Sequence, residues 1–365
     1  MRTGSSGSVI VPSWLFAMSL LLLGGSAAAA PPFGMHRAAG EFVPRGAPLQ
    51  ALSGVPSGML PIAQRLLHPS RFARQVPSGA RPMAGGKFIS AAQYYGSDVV
   101  IYSVSPSGAQ QVRRNSGTTL TYFETLTGFS DPGGTVVTPS GNWYIANQGD
   151  ANVPVYHFTK TGPRGPVRRL DDSGQQPIDV DSTADESLVA VSNIVTASLG
   201  SGSVSLYAGG STIPTGTLGV ADVVEGIGIA LDKSENCYWS YNDESVGGAY
   251  IVEFPHCGGS ATTVVSGLGF AGGLAFDKHG NLFYSDQDSG IYKCHKTSSC
   301  SLLASGFSDV AFINFDANWQ HLWVADVGGA IYALDPISGA VLSSTPDGGS
   351  GGPPFGIAPD PGAKY

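Results

Sequence analysis

Short apolar runs separated by turn residues recur along most of this chain. The clearest copy lies at residues 271–300, where three runs at 274–276, 282–285 and 291–294 are divided by polar turns that contain Gly280 and Gly290. Apolar runs of this length, bounded by Gly, Asn and Asp, are typical of short β-strands. Each copy therefore predicts a meander of antiparallel strands.

The copies share an amide or acidic residue at the end of their second run. These residues are Gln93, Asn147, Asn193, Asn242, Asp286 and Asp326, and successive ones lie 40 to 54 positions apart. A period of about 40–50 residues, with a few short strands in each unit, is typical of propeller blades. The sequence therefore predicts an all-β protein, a six-bladed β-propeller with four-stranded blades.

The propeller is predicted to occupy residues 87–365, and its first blade lacks an innermost strand at its N-terminal end. The other strands of this blade are predicted at 87–93, 98–105 and 110–114. The missing strand is predicted at 353–360, because that segment resembles the first run of the clearest copy, 272–277. A returning C-terminal strand would complete blade one and remove open sheet edges. The other blades are predicted at 119–171, 175–214, 222–267, 271–306 and 308–344.

Residues 1–29 predict a signal peptide, and residues 30–86 predict a linker. Arg2 precedes an apolar run at 14–23 that is too short to span a bilayer, and small residues ending in alanines follow it. An uncleaved N-terminal anchor is the alternative. Residues 31–86 are rich in Pro, Gly, Ala and Arg and have no apolar periodicity. We expect a secreted or periplasmic protein with no transmembrane span in the mature chain.

Charge is divided unevenly along the chain. Residues 1–87 contain eight basic residues and one acidic residue. Of the 19 basic and 27 acidic residues in the whole chain, this leaves 11 and 26 for residues 88–365, a net charge of −15. An acidic domain argues against nucleic acid as a partner. It permits cations, basic partners and neutral glycans.

Four cysteines in an exported chain predict disulfide bonds. Cys294 and Cys300 flank a short turn, so they come close enough to bridge if the flanking strands form a hairpin. This pair is favoured, and it leaves Cys237 for Cys257. The other two connectivities stay open.

The repeated pattern of an apolar residue, Ala, Phe and Asp, followed by Gly-Asn, an apolar strand and Asp, resembles the NHL-repeat and gluconolactonase-like six-bladed propellers. The resemblance covers residues 87–365 and implies a fold that carries many chemistries. Lactonases of this kind bind a divalent metal through acidic and amide side chains just before the inner-strand glycines. The matching positions here are Gly133, Gln176, Ile227, Gly272, Ala311 and Phe355. None is Asp, Glu or Asn, so the resemblance does not carry over this metal site.

Acidic residues are expected to gather at one end of the propeller, on the loops that enter inner strands and the loops that follow second strands. The candidate metal ligands there are Glu225, Asp286, Asp288, Asp309 and Asp326. Carboxylate oxygens from neighbouring loops suit calcium. The alternative is that Asp and Asn cap turns by accepting hydrogen bonds from nearby backbone N–H groups.

No Ser-His-Asp order, phosphate-binding loop or zinc pattern stands out, so we assign no catalytic residue and do not expect an enzyme. We expect a monomeric binding module outside the cell or at its envelope, with a small molecule, glycan, peptide or protein on the acidic loop face. No cofactor is required in this interpretation, although Ca²⁺ or another divalent cation is a candidate. The alternative function is a divalent-metal-dependent hydrolase, lactonase-like or esterase-like, or a lyase, with a non-standard site on the same face.

Overall fold

A computed structural model describes residues 87–93, 96–105, 117–159, 162–196, 201–221, 223–243, 248–316, 319–347 and 352–360. In these segments the chain forms six four-stranded antiparallel sheets. The predicted signal peptide and linker lie outside the described residues. Within the described segments, no helix has the length and apolar character needed to cross a membrane.

The six sheets are the blades of a β-propeller, each running from an innermost to an outermost strand. Blade one contains β1 (Lys87–Gln93), β2 (Asp98–Ser105), β3 (Thr119–Thr127) and β24 (Pro354–Pro359). Blade two contains β4 (Pro132–Val137), β5 (Asn142–Asn147), β6 (Asn152–Thr159) and β7 (Gly162–Asp171). Blade three contains β8 (Gln175–Ser182), β9 (Leu188–Thr196), β10 (Ser203–Ala208) and β11 (Gly216–Leu218).

The remaining blades follow the same order from the inside outwards. Blade four contains β12 (Glu225–Leu231), β13 (Cys237–Asp243), β14 (Gly248–Phe254) and β15 (Thr262–Leu268). Blade five contains β16 (Ala271–Phe276), β17 (Leu282–Asp286), β18 (Gly290–His295) and β19 (Ser298–Ala304). Blade six contains β20 (Val310–Phe315), β21 (Leu322–Asp326), β22 (Ala330–Leu334) and β23 (Val341–Pro346). The predicted six-bladed fold is confirmed.

The C-terminal strand closes the ring. Strand β24 pairs antiparallel with β1, with Ile357 opposite Ala91, and so becomes the innermost strand of blade one as predicted. It also contacts the inner strands of blades two and six. The approach is close enough to require glycine, since a Cβ atom on Gly356 would lie 2.1 Å from the carbonyl oxygen of Gly133. The innermost strands therefore pack backbone against backbone around the axis.

The outermost strand of blade one differs from the prediction. Strand β3 pairs with β2, with Leu120 opposite Val104, so residues 119–127 belong to blade one and not to blade two. The predicted strand at 110–114 is therefore not the outermost one, and it lies outside the described residues. The alternating sequence of 119–127 indicates a half-buried strand, but alternation alone does not say which sheet the strand joins.

Aromatic residues of the second strands pack between blades. Trp143, Trp239, Phe283 and Trp323 are all 1% exposed or less. Phe283 of blade five meets Phe315 of blade six edge to face, with 4.9 Å between ring centroids. Burial of this extent explains their recurrence by packing rather than by a role in stacking on sugars.

Both predicted disulfides are present. Cys237 on β13 is bonded to Cys257 just after β14, and Cys294 on β18 is bonded to Cys300 on β19. The bonds close loops of 20 and 6 residues. Each bond therefore lies within a single blade. Disulfide bonds are typical of proteins from oxidising compartments.

Candidate functional site

The acidic loops lie at one end of the propeller, which we call the upper face. In every blade the innermost strand begins and the second strand ends at this face, because the two strands are antiparallel. None of the loops that enter an innermost strand or follow a second strand contains Lys or Arg. The face is therefore negatively charged, and no basic residue of its own loops offsets that charge.

Asp286 fixes two loops of blade five. Its carboxylate accepts hydrogen bonds from the backbone N–H groups of Gly269 and Phe270, each at 3.1 Å, in the loop that enters β16. It also accepts from the N–H of Asp288 at 3.2 Å and the hydroxyl of Ser289 at 2.8 Å, in the turn after β17. One buried side chain thus holds the entering loop against the following turn.

Asp326 does the same in blade six. Its Oδ1 accepts from the N–H groups of Asp309 at 2.8 Å and Gly328 at 2.9 Å, and its Oδ2 accepts from the N–H of Ser308 at 3.0 Å. In blade two, Asn147 accepts from the N–H of Ser130 at 2.7 Å. Three of the six residues in the repeated column, Asn147, Asp286 and Asp326, therefore cap loops, as the turn-capping alternative predicts.

The other three candidate ligands also lie on the upper face. Glu225 is the first residue of β12, at the mouth of the central channel, and accepts a hydrogen bond from Asn242 at 3.3 Å. Asp309 directly precedes β20, and Asp288 lies in the turn after β17. In the part of the chain that the structure describes, no three His, Cys, Asp or Glu side chains are grouped closely enough to hold a metal ion. The metal-binding role of the five residues stays a prediction.

The positions that match the lactonase metal ligands do not fit a metal in the structure either. In blade five, the backbone N–H of Asp277 donates to the carbonyl of Asn281. In blade three, the backbone N–H of Thr183 donates to the carbonyl of Leu188 in the same way, so Thr183 is the residue of blade three that corresponds to Asp277. The matching residue of that blade is therefore Ile178, five positions before Thr183, and not Gln176. With this correction, none of the six positions carries a side-chain oxygen.

Two carboxylates on β8, the buried Asp179 and the half-buried Asp181, were not predicted. Asp179 and Asp181 accept hydrogen bonds from the N–H groups of Ile229 and Leu231 on β12, at 2.9 and 2.7 Å. Burial raises the pKa of Asp179 well above its usual range and raises the pKa of Asp181 to about 6. The local signal was two acidic residues at alternate positions of an inner strand. Their bonds show that they join blades three and four.

A second unpredicted network lies on the opposite, lower face and joins blades two and three. Glu186 accepts hydrogen bonds from Thr138 at 2.8 Å, Asn142 at 2.9 Å and Tyr144 at 2.6 Å, and pairs with Arg168 at 3.3 Å. Burial opposes ionisation of this carboxyl, but the hydrogen bonds outweigh burial and lower its pKa. Both oxygens are engaged within the protein, so this network holds the blades together.

No family model matches the sequence, and no curated protein is similar to it in sequence. Among solved structures, a calcium-binding protein, regucalcin, from Agrobacterium tumefaciens aligns with a TM-score of 0.47 at 13% identity. The alignment covers 62% of this chain and 77% of that one.

Proposed function

We propose that this chain is an exported binding protein whose ligand docks on the upper face, over the loops of blades five and six. The observation that carries this proposal is the capping of those loops by Asp286 and Asp326, each through several backbone N–H groups. Loops that are held before binding lose little conformational entropy when a ligand arrives. A rigid, acidic loop face favours a polar ligand that is neutral or cationic.

The test uses probes of defined charge. Binding of spermidine, a short lysine peptide and a neutral oligosaccharide is measured by calorimetry at low and high salt. We expect the cationic probes to bind, and we expect their affinity to fall as the salt concentration rises, because salt screens electrostatic attraction at the surface. Asp288→Asn on the upper face should weaken binding several-fold. Asp335→Asn removes the same charge from the lower face and should have no effect, whereas equal losses in the two variants would exclude the upper face as the site.

Export is a separate part of the proposal. The two disulfides support an oxidising compartment, and the N-terminal sequence supports a cleaved leader. N-terminal sequencing of the protein recovered from the periplasm or medium should find a start within the alanines at 27–30. Recovery of an intact N-terminus in the membrane fraction would favour the uncleaved anchor instead.

A second candidate function is a hydrolase with a non-standard site at the channel mouth. It is favoured by Glu225, a carboxylate at the first position of an inner strand with Asn242 beside it. The test is turnover of simple lactones and esters by the wild-type protein and by Glu225→Gln, after chelation and after each divalent metal is added back. Turnover that Glu225→Gln abolishes would support the enzyme. If no metal produced turnover, the hydrolase would be excluded and the binding protein would remain as the proposed function.

A further inference from the structure

A cluster of buried oxygen atoms lies at the upper end of blade three, on the side of blade two. We call it the Asp172 cluster, and it consists of Asp172, Gln175, Asn193, Ser203 and Ser205. Asp172 lies between β7 and β8, and its backbone N–H donates to the carbonyl of Ala151 in blade two at 3.1 Å. The side chains of Asp172 and Asn193 are 0% exposed and that of Ser205 is 2% exposed. Solvent therefore does not satisfy these polar groups.

The side-chain donors of the cluster are all in use. Asn193 Nδ2 donates to Ser203 at 3.2 Å and to Ser205 at 3.0 Å. Ser205 donates to Asp172 Oδ1 at 2.7 Å, and Ser203 donates to Gln175 Oε1 at 3.1 Å. The single proton of the nearby Tyr207 hydroxyl is shared between the carbonyl of Asp171, at 3.0 Å, and the Asp172 carboxylate.

Two buried acceptors are left over. Among the described residues, neither Asp172 Oδ2 nor Asn193 Oδ1 has a hydrogen-bond partner. Turning the Asn193 amide over exchanges its oxygen and nitrogen but creates no additional donor. A buried polar atom without a partner costs free energy, so each of these two oxygens calls for a further interacting group.

The cluster also has an unbalanced charge. The four strands of blade three contain no Lys, Arg or His. On the neighbouring strand β7, Arg168 pairs with Glu186, and Arg169 donates to Asn152 at 3.4 Å. Burial raises the pKa of Asp172, so its ionised form needs a counter-charge at this position. A buried water molecule would satisfy both oxygens but would leave the charge uncompensated.

We propose that the Asp172 cluster binds one hard monovalent cation, Na⁺ or K⁺, through Asp172 Oδ2 and Asn193 Oδ1. Carboxylate and amide oxygens suit hard cations. A single carboxylate balances a single positive charge, whereas calcium sites combine several carboxylates. The cation pins the loop that enters β8 to the second strand of the same blade. This role is independent of any ligand on the upper face.

The test is thermal unfolding of the full chain in NaCl, KCl and choline chloride at equal ionic strength. Choline serves as the reference cation because its quaternary ammonium group lacks the affinity of a hard cation for oxygen ligands. A cation present at ten times its Kd raises the folded-to-unfolded ratio about elevenfold, which for a domain of this size shifts the midpoint by about 3–6 °C. We expect this saturable shift with Na⁺ or K⁺ in the wild-type protein.

Two variants separate the site from general salt effects. Asp172→Asn should abolish the shift. Asp171→Asn removes the same charge one position earlier, from an exposed carboxylate that bonds to Ser173, and should keep the shift. Equal midpoints of the wild-type protein in all three salts would overturn the proposal. A rise with Ca²⁺ but not with Na⁺ or K⁺ would overturn the monovalent assignment.

A direct measurement keeps the proposal testable if Asp172→Asn does not fold. Wild-type crystals grown with Tl⁺, which replaces K⁺ and scatters anomalously, should show a peak in contact with Asp172 Oδ2 and Asn193 Oδ1. A water-like density without anomalous signal at that position would overturn the proposal. So would a midpoint that responds to pH but not to the cation, since that result would assign the counter-charge to a proton on Asp172.

Discussion

The capping role of Asp326 leads to a quantitative prediction. Its carboxylate is 1% exposed and accepts three backbone N–H bonds, from Ser308, Asp309 and Gly328. A hydrogen bond to a charged acceptor contributes about 1.5–3 kcal/mol, but contributions of neighbouring bonds are not additive and water enters opened loops. We expect Asp326→Ala to lower the free energy of unfolding by about 3–5 kcal/mol.

Asp326→Asn should have a smaller effect, because its oxygen still serves Asp309 and Gly328. The new amide group faces the N–H of Ser308, where two donors meet. The expected loss is therefore about 1–3 kcal/mol, the cost of one buried donor left without an acceptor. The measurement is equilibrium unfolding in urea, once with a chelator and once with excess calcium.

A matched control lies in the same blade. Asp335 accepts from the N–H groups of Ile337 at 2.7 Å and Ser338 at 3.1 Å, but these bonds are exposed to solvent. Because water replaces the carboxylate there, Asp335→Ala should cost about 1 kcal/mol or less. Capping predicts that Asp326→Ala loses stability equally with chelator and with calcium. If that variant matched the wild-type protein in chelator and fell behind only in calcium, the carboxylate would act as a metal ligand and the capping argument would be wrong.

Three further predictions concern the scaffold and use the same urea assay. Gly356→Ala should lower the free energy of unfolding by about 2–3 kcal/mol, because the new Cβ would overlap the backbone of blade two. Gly219→Ala should be nearly neutral, because a Cβ atom there would have nothing within 4 Å. Equal effects of the two variants would contradict backbone contact at the axis. Burial raises the pKa of Asp181 to about 6, above the unfolded value of 3.8, so the folded state loses stability as pH rises from about 4 to 6. Asp181→Asn should flatten that slope, and an unchanged slope would exclude Asp181 as its source. Replacing the blade four disulfide by a pair of serines should lower the free energy of unfolding by about 1 kcal/mol more than replacing the blade five disulfide, because the blade four bond closes a loop of 20 residues and the blade five bond a loop of 6. The reverse order would contradict the loop-entropy argument.

The repeat made the blades and their closure predictable from sequence. Each strand has its own pattern of apolar residues and turns, and residues 353–360 resemble an inner strand so closely that their partner could be named. The prediction of the outermost strand of blade one was wrong for a physical reason. Residues 119–127 alternate like any half-buried strand, and only pairing with β2 decides their sheet.

The site was less predictable, because its contacts join positions that are far apart in the chain. Asp179 bonds to the N–H of Ile229, 50 residues away, and no local pattern in the sequence encodes that partner. The column of amide and acidic residues at the ends of the second strands could be recognised in the sequence, but the role of these side chains could not be predicted from it. Whether Asp286 binds a cation or caps a loop depends on where the N–H groups of Gly269 and Phe270 point, which follows from the assembled blade.

The hydrogen bonds that Asp286 and Asp326 accept reduce the number of carboxylates on the upper face that are available to a ligand. A carboxylate offers about four acceptor positions. Asp286 already accepts four hydrogen bonds and Asp326 three, so little capacity is left on either side chain for a ligand. Asn147 caps the loop of blade two without any charge, so capping alone does not require an acidic face. Ligand selection must then rest on the carboxylates beside the caps, Asp288 and Asp309, and on Glu225 at the channel mouth. Loss of a cap would weaken binding only by loosening the loops, and it would lower stability as well, whereas loss of Asp288 would weaken binding by removing a charge from the upper face.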